Sequence, residues 1–418
     1  MSRKALAPFV LGALALYAVF LAATTATPLA PYANGRFFAP PCDFSLRMTE
    51  LECLKKGVDP FVVWSGEVIL PPFKPNWKPR VEGPEFTEGL NAYAPWEYTY
   101  MLPLSFLPRT AAWATYWALM MLSLAGIFAA AWHFGRRRGL STEGCAILAA
   151  APLVLVAYPA WSNIAIGNFS TIVLFAVVMM AVCLNARRDV LAGAFWALAM
   201  VKPQIGIAFA IPLLMKRKFA TCLTAALVCT LATLPPAAMC GVSPVRLVLE
   251  TPKANAFMFQ GCGTLPYFLS GFPGDILAAL AIGSVACILM TRAVSRTTGD
   301  FFLVLMPAAA CSAAWTYVST YGHIMSYFVF FAIVLMLLEE GAKWRPVALL
   351  ALAAAFSTRL YNAYRGFTEA FAFPSLKFGE ELHRHLDSLN SLADIAICAA
   401  LVALLVSAAK REPEGGLK

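Results

Sequence analysis

The stretch "AAWATYWALMMLSLAGIFAAAWHFGRRR", Ala111 to Arg138, decides the fold class. From Ala111 to Phe134 it carries no Asp, Glu, Lys or Arg. A helix needs about 20 such residues to cross roughly 30 Å of hydrocarbon, and an α-helix satisfies its own backbone there. Gly135 and the arginines Arg136, Arg137 and Arg138 then close the run. Basic residues at the end of a span mark its cytoplasmic side.

The rest of the chain repeats this pattern. Of 418 residues, 60% are hydrophobic and 13% charged, with a mean hydropathy of +0.70, well beyond a soluble domain. Residues 1–418 therefore read as one polytopic, all-α transmembrane domain, a multi-span helical bundle. The first apolar run, Ala5 to Ala26, follows Ser2-Arg3-Lys4. It exceeds the apolar core of a signal peptide and reads as an uncleaved span, although "ATTATPLA" resembles a cleavage site. The net charge of +9 does not point to nucleic acid, because the basic residues cluster in short loops between spans.

If Arg136–Arg138 face the cytoplasm, the polar, proline-rich residues 28–108 form a long first extracytoplasmic loop. Further spans read as Gly144–Pro159, Asn168–Leu184, Phe219–Cys240, Ile276–Thr291, Phe301–Tyr317, Ile324–Leu338, Pro346–Phe356 and Leu392–Ala409. Residues 190–215 are ambiguous, because "VKPQ", Val201 to Gln204, interrupts an apolar run that ends in Lys216-Arg217-Lys218. A single crossing puts every later basic cluster outside; a re-entrant hairpin turning at Lys202-Pro203 keeps them inside. The hairpin is the preferred reading, since proline breaks a helix and irregular backbone is allowed at depth where protein or water surrounds it. It predicts about ten crossings, both termini cytoplasmic, and further extracytoplasmic loops at 241–274 and 357–391.

Three residues stand out chemically. Asp43 follows Pro40-Pro41-Cys42 and opens an amphipathic segment in which Phe44, Met48 and Leu51 recur at helical spacing, with Arg47, Glu50 and Lys55 expected on the surface. It reads either as an ordinary N-cap or as a carboxylate held at the water boundary by an interfacial helix. Lys202 in an apolar run costs about 2.5–3.5 kcal/mol to insert, so it either lines an aqueous or anionic cavity or snorkels from a hairpin tip. His323 opens an apolar run beside Trp315, Tyr317 and Tyr321, and belongs either to an aromatic belt or to a site. The eleven cysteines show no metal-ligand spacing, and His383 and His385 lack further ligands beside them, so no metal is expected. Cys42 with Cys53, or Cys240 with Cys262, are candidate pairs if they face an oxidising compartment.

The order of these features resembles glycosyltransferase family 87, a polyprenyl-phosphate-mannose-dependent branch of the GT-C superfamily. The resemblance runs through Asp43 and "LKKGVDPF", "YAPWEY" from Tyr93, "GNFS" from Gly167 to Ser170, "AGAFWALAMVKPQ" from Ala192 to Gln204, and the turn carrying His323. Tyr93-Ala94-Pro95 stands where the family has Tyr-Pro-Pro. The resemblance implies a GT-C-like fold with amphipathic loop helices, Asp43 as general base, and His323 near the donor phosphate. Lys202 is a second candidate for that phosphate, and Tyr93, Asn168, Gln204 and Tyr321 are candidate substrate-lining residues. It also implies a hexosyltransferase with no cofactor, moving mannose foremost from a polyprenyl-phosphate sugar donor to a lipid or glycan acceptor in the cell membrane. One base opposite a good leaving group implies inversion. A flippase of lipid-linked saccharide is the alternative, separated by whether Asp43 is needed as a base; a non-catalytic assembly protein is the other.

Overall fold

A computed structural model describes residues 3–25, 42–57, 94–249, 287–295, 297, 299–316, 323–339 and 341. Among the described residues all regular structure is helical. The helices are α1 (Arg3–Thr25), α2 (Cys42–Lys55), α3 (Trp96–Met101), α4 (Arg109–Arg137), α5 (Thr142–Leu155), α6 (Ala157–Ile166), α7 (Ser170–Asn185), α8 (Asp189–Ala199), α9 (Pro203–Gly206), α10 (Ala210–Met215), α11 (Phe219–Cys240), α12 (Phe301–Thr316) and α13 (Ser326–Glu339). Short 3₁₀ turns at Leu102–Phe106, Ile207–Phe209 and His323–Met325 join some of them.

Among the described residues, three helices are long and apolar enough to cross a membrane unaided: Arg3–Ala23 within α1, α4 and α11. Helices α5, α7, α12 and α13 are apolar but shorter. The run expected as one span from Gly144 to Pro159 is divided at Val156, where α5 stops and α6 begins. The spans expected beyond residue 341, most of that at Ile276–Thr291, and the 357–391 loop lie outside the described residues.

Charges sort the bundle into two ends. At one end Arg138 forms a two-point ion pair with Glu339 (2.9 and 3.0 Å), and the Arg3 guanidinium donates to the Leu338 carbonyl. The Phe134 ring there meets Phe302, 5.0 Å between centroids, and Lys218 sits over the ring of Phe301. Asn185 closes the same end by donating to Asp300 and accepting from the Phe301 amide.

Residues 189–218 leave from this end and come back to it. Lys218 Nζ donates to Asp189 Oδ1 at 3.0 Å, and the Thr221 hydroxyl donates to the Asp189 carbonyl. The first residue of α8 thus lies beside the residues that follow α10. Between them the chain breaks at Lys202 (φ −110, ψ 87) and restarts with Pro203, whose missing N–H is no loss at a helix start. The Trp196 indole secures the fold-back by donating to the Gly206 carbonyl at 2.9 Å. At about 1.5 Å per residue, α8 carries Lys202 some 16 Å from the basic end, about half the hydrocarbon thickness.

Helix α2 departs from its expected setting. Phe44, Met48, Leu51 and Leu54 face the bundle as their spacing requires, but Arg47 (2% exposed) and Glu50 (0%) are buried as well. Their ion pair (2.6 Å), to which the Tyr98 hydroxyl donates at 3.1 Å, accounts for this. A charge pair that neutralises itself can enter the interior, and amphipathic spacing alone cannot foresee it. The candidate Cys42–Cys53 pair does not fit this helix. Both residues lie in α2, and eleven helical steps separate Cα atoms by about 16 Å where a disulfide needs about 4.4–6.8 Å. Cys262 lies outside the described residues.

Candidate active site

At the end of the bundle away from the basic clusters, α2 meets the junction of α6 and α7, and the reason is local. Gly167 ends α6 in the left-handed region (φ 74), with the Asn168 amide donating back to the Asn163 carbonyl at 2.7 Å. This is the usual way a glycine stops a helix. The absence of a side chain has a second use: a Cβ on Gly167 would lie 2.5 Å from the Phe44 Cβ and 3.0 Å from the Trp113 ring. Phe44 fills that space and packs on Trp113 (5.2 Å) and Tyr116 (5.3 Å), with Tyr116 edge-on to Phe169 (5.4 Å).

Seating Phe44 there sets its neighbour. Asp43, in the first turn of α2, accepts a hydrogen bond at Oδ2 from Asn168 Nδ2 at 2.6 Å. The other end of the same amide, Oδ1, accepts from Lys202 Nζ at 2.6 Å and from the Ser170 amide and hydroxyl at 3.0 and 2.8 Å. Lys202, 3% exposed, also donates to the Ser170 hydroxyl at 2.8 Å. An amide that accepts an ammonium at its oxygen can present only its NH₂ to Asp43, so Lys202 fixes the orientation of Asn168. Three segments far apart in the chain thus join a carboxylate and an ammonium through one side chain.

The carboxylate reached by Asn168 belongs to the second residue of α2, which begins at Cys42. Of the other expected site residues, Gln204 is half-buried in α9. His323 opens the 3₁₀ turn before α13, and that turn packs against α6, α7 and α12, close to the Asn168 junction. Tyr93 and Tyr321 lie outside the described residues. Sequence reasoning missed Ser170, although "GNFS" was singled out, and it missed Glu97 within "YAPWEY". The signal for Glu97 was an acid enclosed by aromatics, a setting with no exposed face to offer it. Burial raises this carboxyl to about 8, with Arg47 opposing the shift.

Beside the site lies a cavity of about 380 Å³ between the Leu102–Phe106 turn, α4, α7 and α8. Leu104, Leu119, Leu122, Phe169, Ile172 and Phe175 dominate its lining. Tyr116 and Phe169 belong both to this lining and to the aromatic cluster around Phe44. Leu119 and Leu122 are exposed on α4, so the cavity adjoins the apolar outer surface of that helix.

Residues 91–260 match the model of glycosyltransferase family 87. That segment is similar to glycosyltransferase family 87. It contains Glu97, Asn168, Ser170 and Lys202 and stops short of Asp43 and His323. The family implies a membrane glycosyltransferase, with a sugar donor and an acceptor, and the apolar helices agree with a membrane setting. No curated protein and no solved structure matches the chain.

Proposed function

We propose that the protein transfers a hexose, mannose foremost, from a polyprenyl-phosphate carrier to a hydroxyl of a lipid or glycan acceptor on the extracytoplasmic face of the cell membrane. One observation carries the reading: Asp43 is held by Asn168, itself pinned by Lys202, at the end of the bundle opposite the arginine and lysine clusters. Basic clusters mark the cytoplasmic side, so this end is the outer one. The fold-back of residues 189–218 is then a re-entrant hairpin, and the chain a multi-pass GT-C-like bundle with both termini inside.

The reaction needs little more than a base. Asp43 takes the proton as the acceptor O–H breaks, the acceptor oxygen bonds to the anomeric carbon, and the bond from that carbon to the phosphate oxygen breaks with its electron pair leaving on phosphate. A single displacement inverts the anomeric centre. The buried charge of Lys202 favours the phosphate as its charge grows, and the imidazole of His323 is assigned the same task. The cavity beside Tyr116 suits the hydrocarbon part of a lipid substrate.

The test uses purified full-length protein with radiolabelled polyprenyl-phosphate sugars and a membrane lipid extract. Wild type should form product, and Asp43→Asn should reduce turnover by about 10²- to 10⁴-fold, the range for loss of a general base, while expressing normally. Wild type that binds the lipid-linked sugar and never transfers it would favour a flippase instead.

A further inference from the structure

Among the described residues, the left-handed backbone region holds six glycines and two arginines, Arg187 and Arg217, each with φ of 56. Both arginines stand at the same place in the same kind of turn. Past the end of α7, the Arg187 amide donates to the Leu184 carbonyl and the Arg188 amide to that of Cys183; past α10, Arg217 donates to Leu214 and Lys218 to Leu213. Glycine is the ordinary occupant, because a Cβ is strained there. The turn after α4 has one: Gly139 donates to Arg136, and Leu140 to Gly135.

The α4 turn also shows that a basic loop does not require this strain. Its three arginines, Arg136 to Arg138, precede the glycine, and charge near the end of a span is enough to set its orientation. At α7 and α10 the arginine takes the strained position itself. Arg187, Arg188 and Arg217 are exposed, and among the described residues they form no ion pair. The acids beside them are engaged elsewhere, Asp189 with Lys218 at 3.0 Å, and Asp300 with Asn185 at 2.7 Å and the Phe302 amide at 2.9 Å.

These partners bring the two turns together. Asn185, two residues before Arg187, donates to Asp300 and accepts from the Phe301 amide; Lys218, next to Arg217, lies over the Phe301 ring at 5.2 Å and pairs with Asp189, two residues after Arg187. Exposed apolar side chains adjoin the arginines along the chain: Val190 and Leu191 on α8, Leu214 on α10 and Phe219 on α11. One surface thus offers guanidinium groups beside apolar side chains. That combination fits an anion attached to an acyl chain better than a soluble phosphate, and backbone strain of this kind collects at functional positions.

We propose that Arg187, Arg188 and Arg217 form a docking site for the headgroup of an anionic phospholipid at the basic end of the bundle. A guanidinium meets phosphate oxygens at two points, and each basic residue close to a membrane surface strengthens anionic-lipid binding by about fivefold. The site requires only that the helices cross a membrane; it is independent of the reading of Asp43.

The test titrates purified full-length protein in neutral detergent with phosphatidylglycerol, or with phosphatidylcholine of the same acyl chains, and follows binding by native mass spectrometry and stability by thermal unfolding. Wild type should bind the anionic lipid in preference and melt higher with it. Arg187→Gly with Arg217→Gly should weaken phosphatidylglycerol binding by about 25-fold, two fivefold steps. Without lipid the same double variant should melt at or above the wild-type temperature, since glycine relieves the backbone. Arg136→Gln with Arg137→Gln removes the same charge from the last turn of α4 and should weaken binding by less than about fivefold. Equal affinity of wild type for the two lipids, or equal losses in the two double variants, overturns the site. Lipid-free melting of the glycine variant more than about 3 °C below wild type would show that the arginines serve the fold, and a rise with inorganic phosphate equal to that with lipid would assign the surface to a soluble anion; either result refutes the proposal.

Discussion

Substituting Gly167 by Ala tests the docking of α2, and Gly139 supplies the control. Both glycines are left-handed, with φ of 74 and 73. A side chain in that region costs about 1–2 kcal/mol, so the backbone contribution should be the same at both. Their surroundings differ. A Cβ on Gly139 meets nothing within 4 Å, whereas one on Gly167 lies 2.5 Å from Phe44 Cβ, 3.0 Å from the Trp113 ring and 3.2 Å from the Phe44 backbone nitrogen. Backbone and Cβ atoms cannot rotate out of the way, so α2 must retreat by about 1 Å, at the roughly 1–3 kcal/mol typical of overpacking. Gly139→Ala should thus cost about 1–2 kcal/mol and Gly167→Ala about 2–5 kcal/mol. The same retreat stretches the 2.6 Å bond from Asn168 to Asp43, and a misplacement of about 1 Å can cost about 10²-fold in rate. Unfolding of both variants in detergent, followed by tryptophan fluorescence, and sugar transfer on the same preparations measure the two effects. If the variants unfold within about 0.5 kcal/mol of each other, the scale of an innocuous substitution, the tight seating of Phe44 on Gly167 is wrong.

Lys202→Met should lower transfer by about 10²- to 10³-fold, the cost of removing one donor that stabilises developing negative charge, while donor binding weakens only modestly. Its stability should change little, because the lost bonds to Asn168 and Ser170 are offset by about 2.5–3.5 kcal/mol from no longer burying an ammonium. Binding and product formation on one sample check this, and near-normal turnover would contradict it. Arg47→Met should destabilise by about 3–5 kcal/mol, because it strands the carboxylate of Glu50 in the interior. Adding Glu50→Leu should recover much of that loss in thermal unfolding, whereas strictly additive losses would mean that the pair is not coupled.

The helices were legible wherever an apolar run is long and ends in charge, as at α4 with its three arginines. The helix break at Lys202-Pro203 was legible because proline marks it. What the sequence concealed is which polar residues turn inward. Arg47 and Glu50 sit on spacing that reads as a wet helix face, and only the approach of Tyr98 and the closing of their ion pair make burial tolerable. Glu97 was hidden for the opposite reason, since it stands alone among the aromatic neighbours Trp96, Tyr98 and Tyr100. Asp43, Asn168 and Lys202 were each noticed separately; their meeting was not, because it depends on how α2 docks against a junction more than a hundred residues later.

The match to glycosyltransferase family 87 covers only part of this arrangement. Residues 91–260 carry the amide, the hydroxyl and the ammonium of the site, at the α6–α7 junction, the start of α7 and the α8–α9 break. The carboxylate arrives on a separate helix, across residues 58–93. The helix need present only two things to the matched segment: an aromatic ring that fits against Gly167, Trp113 and Tyr116, and an acid one residue before it to meet Asn168. Met48, Leu51 and Leu54 on one side and the Arg47–Glu50 pair on another bury much of the rest of α2. Two adjacent residues within one helix thus determine where the carboxylate stands. On the proposed role of Asp43 as the base, a change that loosens Phe44 should lower transfer without altering the carboxylate itself.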